Sequence, residues 1–363
     1  PKLSPMYKVE YLEQFTRNVF EKMGCSPEDA RMATAVFIAA ELRGYSSHGM
    51  IRIKDYFQLW QAKRINVTPD VRIVHESPST AVVDGDGAIG MIAATKSMQI
   101  AIEKAKSAGT GWVSTRGSNH FGIAGFYSMM ALEQDMIGIC MTIANPLVAP
   151  TNSVSQMLGT NPIAVAVPAG IHPPFVADFS TTPIARGKLA VAAKMGKSVP
   201  EGYVQDKDGI SSTNPDILKE GGSMLTLGGS PEQGGHKGYC MSAVVDIFSA
   251  VLSGANFGPF CPPSVAYLPV KEEKVGEGTG HFFGAMRIDA FQTPDAFKKQ
   301  MDKWIETFRA AKPAKGHDRV LIPGDPEREN EERISKEGIN VLGPVQKEMK
   351  EIADALGLSF DLD

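Results

Sequence analysis

Apolar side chains recur at helical spacing along the first 64 residues of the chain. Residues 8 to 24 carry one such pattern, a second runs to about Arg43, and a third covers residues 51 to 64. The segment SPED at 26–29 precedes the second pattern with a serine N-cap, a first-turn proline and acidic residues that complement the helix dipole. The pattern therefore predicts three N-terminal helices.

After about residue 67 the pattern changes to short apolar runs separated by glycine-rich and asparagine-rich loops. The runs are VRIVHE, TAVVDG, TGWVST, IGICMTIA, NPIAVAVP and FVADFS. Their composition predicts strands, and their irregular spacing favours a mixed sheet over regular βαβ alternation. Between the second and third runs, residues 91 to 109 predict an amphipathic helix that ends at Gly109.

Helical patterns return in the last third of the chain. They cover residues 239 to 254, a segment from Thr293 to about residue 312, and residues 326 to 337 and 344 to 356. Because helical patterns occupy both ends, we expect a mainly helical domain of residues 1–70 plus 300–363. A mixed α/β domain of residues 71–299 would be inserted into it, which makes the fold class α/β with α+β character.

Composition narrows the possible functions. The chain has 363 residues, 43% of them hydrophobic and 21% charged, with a net charge of −4, so the basic surplus typical of nucleic-acid binding is missing. The apolar stretches are too short to span a membrane. The sequence contains no H-E-x-x-H motif and no C-x-x-C pair, which would have indicated a metal site. The first residues resemble no signal peptide, so we expect a cytoplasmic protein without a metal or membrane partner.

Residues 85 to 90 spell G-x-G-x-x-G between a predicted strand and a predicted helix. This pattern is typical of a Rossmann pyrophosphate turn, which also needs an acidic residue after the next strand to bind the ribose. Here the next strand is followed by Arg116-Gly117-Ser118, although an arginine of the NADP type is compatible with that position. We interpret the glycines as an ordinary strand-to-helix turn.

Two histidine segments are candidates for redox chemistry on a 2-oxo acid, which needs a proton donor at the carbonyl oxygen and a cation for the carboxylate. SSHGMIR at 46–52 places His48 and Arg52 four residues apart, on one face if helical. GSNHFGIAG at 117–125 surrounds His120 with small residues after a strand. The alternatives are a surface histidine with an ion-paired arginine, and a structural turn.

Further segments carry groups that suit a nucleotide. GTNP at 159–162 and DFSTT at 178–182 offer hydroxyls, amides and backbone N–H groups. GGHKG at 234–238 combines a flexible backbone, a cation and a helix start. IPGDP at 322–326 offers a turn before a helix, which capping alone would also explain.

In their order and spacing, SSHGMIR, GSNHFGIAG, GTNPIA, DFSTTPIARGK and GGHKG resemble the malate/L-lactate dehydrogenase family, which is distinct from the Rossmann-type enzymes. The resemblance covers about residues 8 to 330. It implies hydride transfer between NAD or NADP and a small 2-hydroxy or 2-oxo acid, with malate the first candidate. It also implies a non-Rossmann NAD(P)-binding domain inserted into a helical one, and a homodimer with its active site near the subunit interface.

Carried over by position, the resemblance implies that His48 is the proton donor and acceptor, Arg52 holds the substrate carboxylate, and His120 is a second catalytic histidine. Ser47 and Asn119 would line the substrate. The implied cofactor contacts are Asn145, Thr160, Asp178, Phe179, Ser180, Lys188, His236, Lys237, Pro323 and Gly324. Asp325 departs from the family pattern, which commonly has glutamate there, and Thr182 stands where many relatives have serine.

Two other functions fit the same segments. One is reduction of a cyclic 2-imino acid, in which Arg52 would hold the same carboxylate and the hydride would add to C=N. The other is a catalytically silent nucleotide-binding regulatory protein, which the presence of both His48 and Arg52 makes a poorer explanation.

Overall fold

A computed structural model describes residues 6–362 of the chain. The α-helices are α1 (Val9–Met23), α2 (Pro27–Leu42), α3 (Ile53–Gln61), α4 (Gly90–Ala108), α5 (Ala124–Met130), α6 (Arg186–Lys194), α7 (Gly235–Asp246), α8 (Pro294–Arg309), α9 (Asp325–Glu337) and α10 (Gly343–Leu356). The strands are β1 (Met6–Tyr7), β2 (Arg72–Glu76), β3 (Thr80–Asp84), β4 (Thr110–Ser118), β5 (Met136–Thr142), β6 (Ile163–Val167), β7 (Phe175–Phe179), β8 (Val204–Gln205), β9 (Ser211–Ser212), β10 (Ser223–Met224), β11 (Thr279–Arg287) and β12 (Ile339–Asn340). None of the helices between residues 6 and 362 is long and apolar enough to cross a membrane.

A seven-stranded sheet forms the centre of the fold, in the order β2-β3-β4-β11-β5-β6-β7. β3 and β4 are parallel, and the other neighbouring pairs are antiparallel. Because side chains alternate along a strand, β11 presents Phe283 to the core beneath α4 and α5, and Phe282 to the helical segment after α7. The predicted mixed sheet is confirmed.

The central strand β11 is the longest of the strands that the sequence pattern missed. Its nine residues, TGHFFGAMR, contain two glycines, and glycine weakens a strand pattern. Neighbours stabilise it from both sides, since Phe283 lies opposite Val113 of β4 and Cys140 of β5. The short helices α5 and α6 were missed for the related reason that seven or nine residues show little periodicity.

The predicted helix starts and ends are confirmed where capping residues mark them. The Ser26 hydroxyl accepts the N–H of Asp29 at 3.1 Å, with Pro27 as the first residue of α2. Helix α4 ends at Gly109, as predicted. Helix α3 begins at Ile53, two residues later than predicted, because residues 50–52 form a 3-10 turn before it.

The two ends of the described chain pack against each other. Strand β1 pairs with β12, α1 and α3 contact α10, and α2 contacts α9. Helix α8 instead lies against the loop before β7, where the Asp302 carboxylate accepts the N–H groups of Gly170 and Ile171. The division into residues 1–70 plus 300–363 and residues 71–299 stays a prediction.

Residues 85–90 form the turn between β3 and α4. The N–H groups of Gly85 and Gly87 donate to the carbonyl oxygens of Arg116 and Gly117, each at 2.8 Å. These donors are therefore engaged with β4, whereas a pyrophosphate turn keeps its backbone N–H groups for the ligand. The prediction of an ordinary strand-to-helix turn is confirmed.

Candidate active site

The segment between α2 and α3 carries two of the predicted catalytic residues. It consists of two successive 3-10 turns, Ser46–His48 and Met50–Arg52, which meet at Gly49. The side chains of His48 and Arg52 are both half-buried. The charge of Arg52 contributes to lowering the pKa of His48.

His48 and His120 come together although 72 residues separate them in the sequence. Their rings are stacked, with centroids 5.8 Å apart and planes inclined by 22°. The Nδ1 atom of His48 lies 2.9 Å from the Ser47 hydroxyl, and Nδ1 of His120 lies 2.8 Å from the Tyr56 hydroxyl. Within residues 6–362 neither Nε2 atom has a hydrogen-bond partner, so both remain available to a reacting oxygen.

The His120 loop is positioned by close backbone packing. A Cβ atom on Gly90, the first residue of α4, would lie 2.1 Å from the carbonyl oxygen of His120 and 2.2 Å from that of Asn119. Glycine at this position therefore lets the helix start lie directly against the loop. The Asn119 amide donates to the carbonyl oxygens of Gly87 and Ala88, at 3.2 and 2.8 Å, so its N–H groups hold the neighbouring turn.

Both histidines are neutral at neutral pH. Burial, followed by the charge of Arg52, lowers the pKa of His48 to about 4. Burial also lowers the pKa of His120 well below its usual range, and Arg52 and His48 add to this effect. The neutral imidazoles have an unprotonated ring nitrogen for a proton, and the guanidinium of Arg52 can attract a carboxylate, while its charge opposes protonation of both rings.

Arg52 contacts one residue of the neighbouring helix α3 and one residue of a loop far away in the sequence. Its Nε atom lies 3.2 Å from the Asp55 carboxylate, and its Nη2 donates to the Ser264 hydroxyl at 3.4 Å. The Asn145 side chain bonds Ser264 twice, from Nδ2 to the hydroxyl and from the Ser264 N–H to Oδ1, each at 3.2 Å. Asn145, a predicted cofactor residue, is thereby linked to Arg52.

Three further residues contact Arg52 or His120 and were not among the predicted site residues: Asp55, Tyr56 and Ser264. The first two lie three and four residues after Arg52 on or beside a predicted helix, and this spacing could have indicated them. No local signal marks Ser264, which follows two prolines in a loop 212 residues from Arg52.

The predicted cofactor residues at the end of β7 adjoin the His120 loop. The Asp178 carboxylate accepts the N–H of Gly125 at 2.8 Å, where α5 begins after that loop, and burial raises its pKa to about 6. Phe179 is exposed, and the Ser180 hydroxyl donates to the Thr182 carbonyl at 3.1 Å.

Two other predicted cofactor positions flank the same strand. The carbonyl oxygen of Thr160 accepts the N–H of Thr181 at 2.9 Å. The Pro323 carbonyl accepts the N–H of Val176 at 3.1 Å, which brings the Pro323–Gly324 turn beside β7. Asp178, Ser180, Thr160 and this turn therefore belong to one region of the fold.

The remaining predicted positions are exposed. Lys188 lies on α6, and its neighbour Gly187 is near Ser47, since a Cβ on Gly187 would be 3.8 Å from Cβ of Ser47. His236 and Lys237 lie at the start of α7. His236 lines a cavity of about 510 Å³, together with polar side chains that include Asn152, Gln205 and Gln233. The cavity lining does not include His48, Arg52 or His120, so the cavity and the histidine pair are separate features.

Asp325, the departure from the family pattern, has structural partners. Its carboxylate accepts hydrogen bonds from Arg309 and Arg328, at 2.9 and 3.0 Å, and from the N–H of Ile322. The side chain is 4% exposed and closes the turn that precedes α9. Within residues 6–362, no group of three or more His, Cys, Asp or Glu side chains is placed to hold a metal ion.

Comparison with known proteins gives consistent matches over the whole fold. The sequence profile described as malate/L-lactate dehydrogenase matches residues 7–350. A malate dehydrogenase of Pyrococcus horikoshii is 38% identical over 348 residues, which are 96% of this chain and 94% of that protein. The solved structure of sulfolactate dehydrogenase from Methanocaldococcus jannaschii is 37% identical, covers 98% of both chains and has a TM-score of 0.89. That of a malate dehydrogenase from Entamoeba histolytica is 34% identical, covers 99% of this chain and 100% of the other, and has a TM-score of 0.91.

The fold and the site define a dehydrogenase that acts on 2-hydroxy acids. The fold has a mixed, non-Rossmann sheet, and the segment between α2 and α3 places Arg52 and His48 against the ring of His120 in the loop after β4. The chain belongs to the malate/L-lactate dehydrogenase family, as its sequence segments indicated.

Proposed function

We propose that this enzyme interconverts malate and oxaloacetate, with His48 as the main proton carrier and Arg52 as the partner of the C1 carboxylate. The observation that carries the proposal is the placement of His48 and Arg52 in one short segment, against the ring of His120. A guanidinium binds a carboxylate through two parallel hydrogen bonds, and this fixes the C2 carbon in one orientation.

The pKa shifts indicate how the histidines serve both directions. A neutral His48 takes the proton from the substrate hydroxyl during oxidation. Reduction requires a protonated imidazole, which the charge of Arg52 disfavours in the free enzyme. A bound carboxylate neutralises part of that charge, so substrate binding raises the pKa of His48 toward the range that a general acid needs.

The residues around β7 and α7 fit a nicotinamide dinucleotide. When bound, the cofactor supplies or accepts the hydride. Asp178 and Ser180 offer a carboxylate and a hydroxyl suited to ribose, and His236 borders a polar cavity whose size is usual for ligand sites. Asn145 has a side chain already fixed beside Arg52, and it would bind the cofactor end nearest the substrate. The cofactor would be NAD or NADP, and turnover with NADH and with NADPH distinguishes the two.

Two observations support a substrate with a second acidic group. Relatives at 37–38% identity are named malate and sulfolactate dehydrogenases, and both names denote substrates with two acidic groups. The start of α6 supplies two further cations, Arg186 and Lys188, on either side of Gly187, which lies near Ser47. In this proposal these cations would attract the second acidic group.

The enzyme is proposed to act as a homodimer. Helix α7 and the turn after it expose an apolar stripe that is unusual for a monomer surface: Val244, Ile247, Phe248, Val251 and Leu252. A second copy of the chain would cover this stripe and bring a neighbouring subunit toward the active site. The cysteines of the described chain are free thiols, which fits a reducing compartment such as the cytoplasm.

The decisive experiment follows absorbance of NADH and NADPH with a panel of oxaloacetate, sulfopyruvate, pyruvate and a cyclic imino acid. We expect fastest turnover with oxaloacetate and either NADH or NADPH, and loss of turnover without loss of cofactor binding in His48→Ala. Exclusive turnover of the imino acid would instead identify a cyclic-imine reductase. Cofactor binding without turnover of any compound would identify a silent binding protein.

A further inference from the structure

The carboxyl group of Glu41 contacts the segment that joins His48 to Arg52. Glu41 is in the last turn of α2 and is 7% exposed. Its Oε1 atom accepts the N–H of Met50 at 2.7 Å, and Met50 is the first residue of the second 3-10 turn. One buried hydrogen bond therefore ties the middle of the segment to helix α2.

Gly49 packs against the same carboxyl group. A Cβ atom on Gly49 would lie 2.1 Å from Oε1 and 2.4 Å from Cδ of Glu41, so the backbone of residue 49 touches the carboxyl directly. The Met50 side chain is 1% exposed, and its sulfur accepts the Thr16 hydroxyl at 3.5 Å. The junction between the two 3-10 turns is thus fixed on the Glu41 carboxyl and on the core.

The carboxyl has no cationic partner to compensate its burial. Among residues 6–362, no lysine, arginine or histidine forms an ion pair with Glu41, and burial raises its pKa to about 7. An unpaired buried carboxyl costs stability, and an apolar side chain would fill this space more cheaply. The Glu41 carboxyl accepts the N–H of Met50, which lies between His48 and Arg52, and an apolar side chain could not make this hydrogen bond.

We propose that Glu41 is a positioning residue of the reaction, which sets the placement of His48 relative to Arg52 without touching the substrate. The inference rests on the proposed roles of those two residues. A displacement of about 1 Å in a catalytic group can lower the rate about 100-fold, so the hydrogen bond to Met50 bears directly on turnover.

The test compares Glu41→Ala, which removes the acceptor, with Glu41→Gln, which keeps a neutral oxygen in its place. The matched control is Asp29→Asn, because Asp29 is another buried carboxyl of α2, at its other end, paired with Lys96 at 3.0 Å. We expect Glu41→Ala to lower kcat/KM for the 2-oxo acid about 10- to 100-fold and to leave the Kd of NADH within about twofold. Glu41→Gln should restore most of the activity, and Asp29→Asn should lower the melting temperature without changing kcat or KM.

Hydrogen exchange supplies a readout that does not depend on activity. In Glu41→Ala the amides of residues 46–52 should exchange faster, whereas they should stay protected in Glu41→Gln and Asp29→Asn. If Glu41→Ala does not fold, Glu41→Leu takes its place, because leucine fills the space without an acceptor.

Unchanged exchange of this segment, or equal kinetic losses in the alanine, glutamine and control variants, would overturn the proposal. Wild-type protein that turns over no 2-oxo acid would instead refute the proposed function. The exchange measurement would still decide whether Glu41 holds the segment.

Discussion

The imidazole rings of His48 and His120 lie nearly parallel, with their centroids 5.8 Å apart. They belong to two segments that meet only through the packing of α2, α3 and the loop after β4. Each ring has its Nδ1 beside a hydroxyl, that of Ser47 or Tyr56. Each ring is thus oriented through Nδ1 and leaves its Nε2 free within the described chain, so the separate contributions of the two histidines need separate variants.

His48→Ala should lower kcat about 10²- to 10⁴-fold, the usual cost of losing a general acid–base group. His120→Ala should cost less, because the proposed proton transfer uses His48 and retains Arg52 beside it. Steady-state kinetics in both directions measure kcat of the two variants, and cofactor titration is the control for binding. A larger loss for His120→Ala than for His48→Ala would exchange the two roles.

Arg52→Gln should raise KM for the 2-oxo acid by about 10- to 100-fold, since a hydrogen-bonded ionic contact contributes about 1.5–3 kcal/mol.

The same change should also move the pH profile. Arg52 disfavours the protonated imidazole, so its removal raises the pKa of His48 above about 4. The acid limb of kcat/KM for hydroxy-acid oxidation should therefore shift to higher pH. Arg52→Lys, which keeps the charge, should leave that limb near its wild-type position.

Local signals and long-range packing explain which parts of the structure were predictable. Ser26, Pro27 and Gly109 mark helix ends through hydrogen bonds or backbone angles within a few residues, so the sequence indicates them. Strand β11 escaped prediction because its position at the centre of the sheet depends on β4 and β5, which are more than a hundred residues away. The sequence segments likewise named His48 and Arg52, whereas the contact of Arg52 with Ser264 arises only from folding.

Val251→Glu should disrupt the proposed homodimer. Val251 is 53% exposed in the single chain and belongs to the apolar stripe after α7. A buried unpaired carboxylate at a subunit interface is strongly unfavourable, so the variant should elute as a monomer where the wild type elutes as a dimer. Val191→Glu is the matched control, because Val191 is equally exposed but lies on α6. A wild-type protein that is monomeric at micromolar concentration would contradict the proposal.

The stability of the enzyme should fall in acid partly through His281, which lies fully buried on β11 between two hydroxyl groups. Its Nδ1 is 2.7 Å from the Thr142 hydroxyl and its Nε2 is 2.6 Å from that of Ser118. Burial lowers the pKa of His281 to about 3, from 6.5 in an unfolded chain. The unfolded state therefore binds the proton first, and the stability that His281 contributes above pH 6.5 is lost as pH falls toward 3. The full difference between 6.5 and about 3 corresponds to roughly 5 kcal/mol, at about 1.4 kcal/mol per pH unit.

His281→Gln keeps a side chain that hydrogen-bonds but removes this titration. Urea unfolding between pH 7 and pH 4 should show a smaller loss of unfolding free energy in His281→Gln than in the wild type, even if the variant is less stable at pH 7. His75→Gln is the control, because His75 lies on the exposed strand β2 and should leave the pH dependence unchanged. Parallel pH curves for His281→Gln and the wild type would show that His281 titrates alike in the folded and unfolded chains.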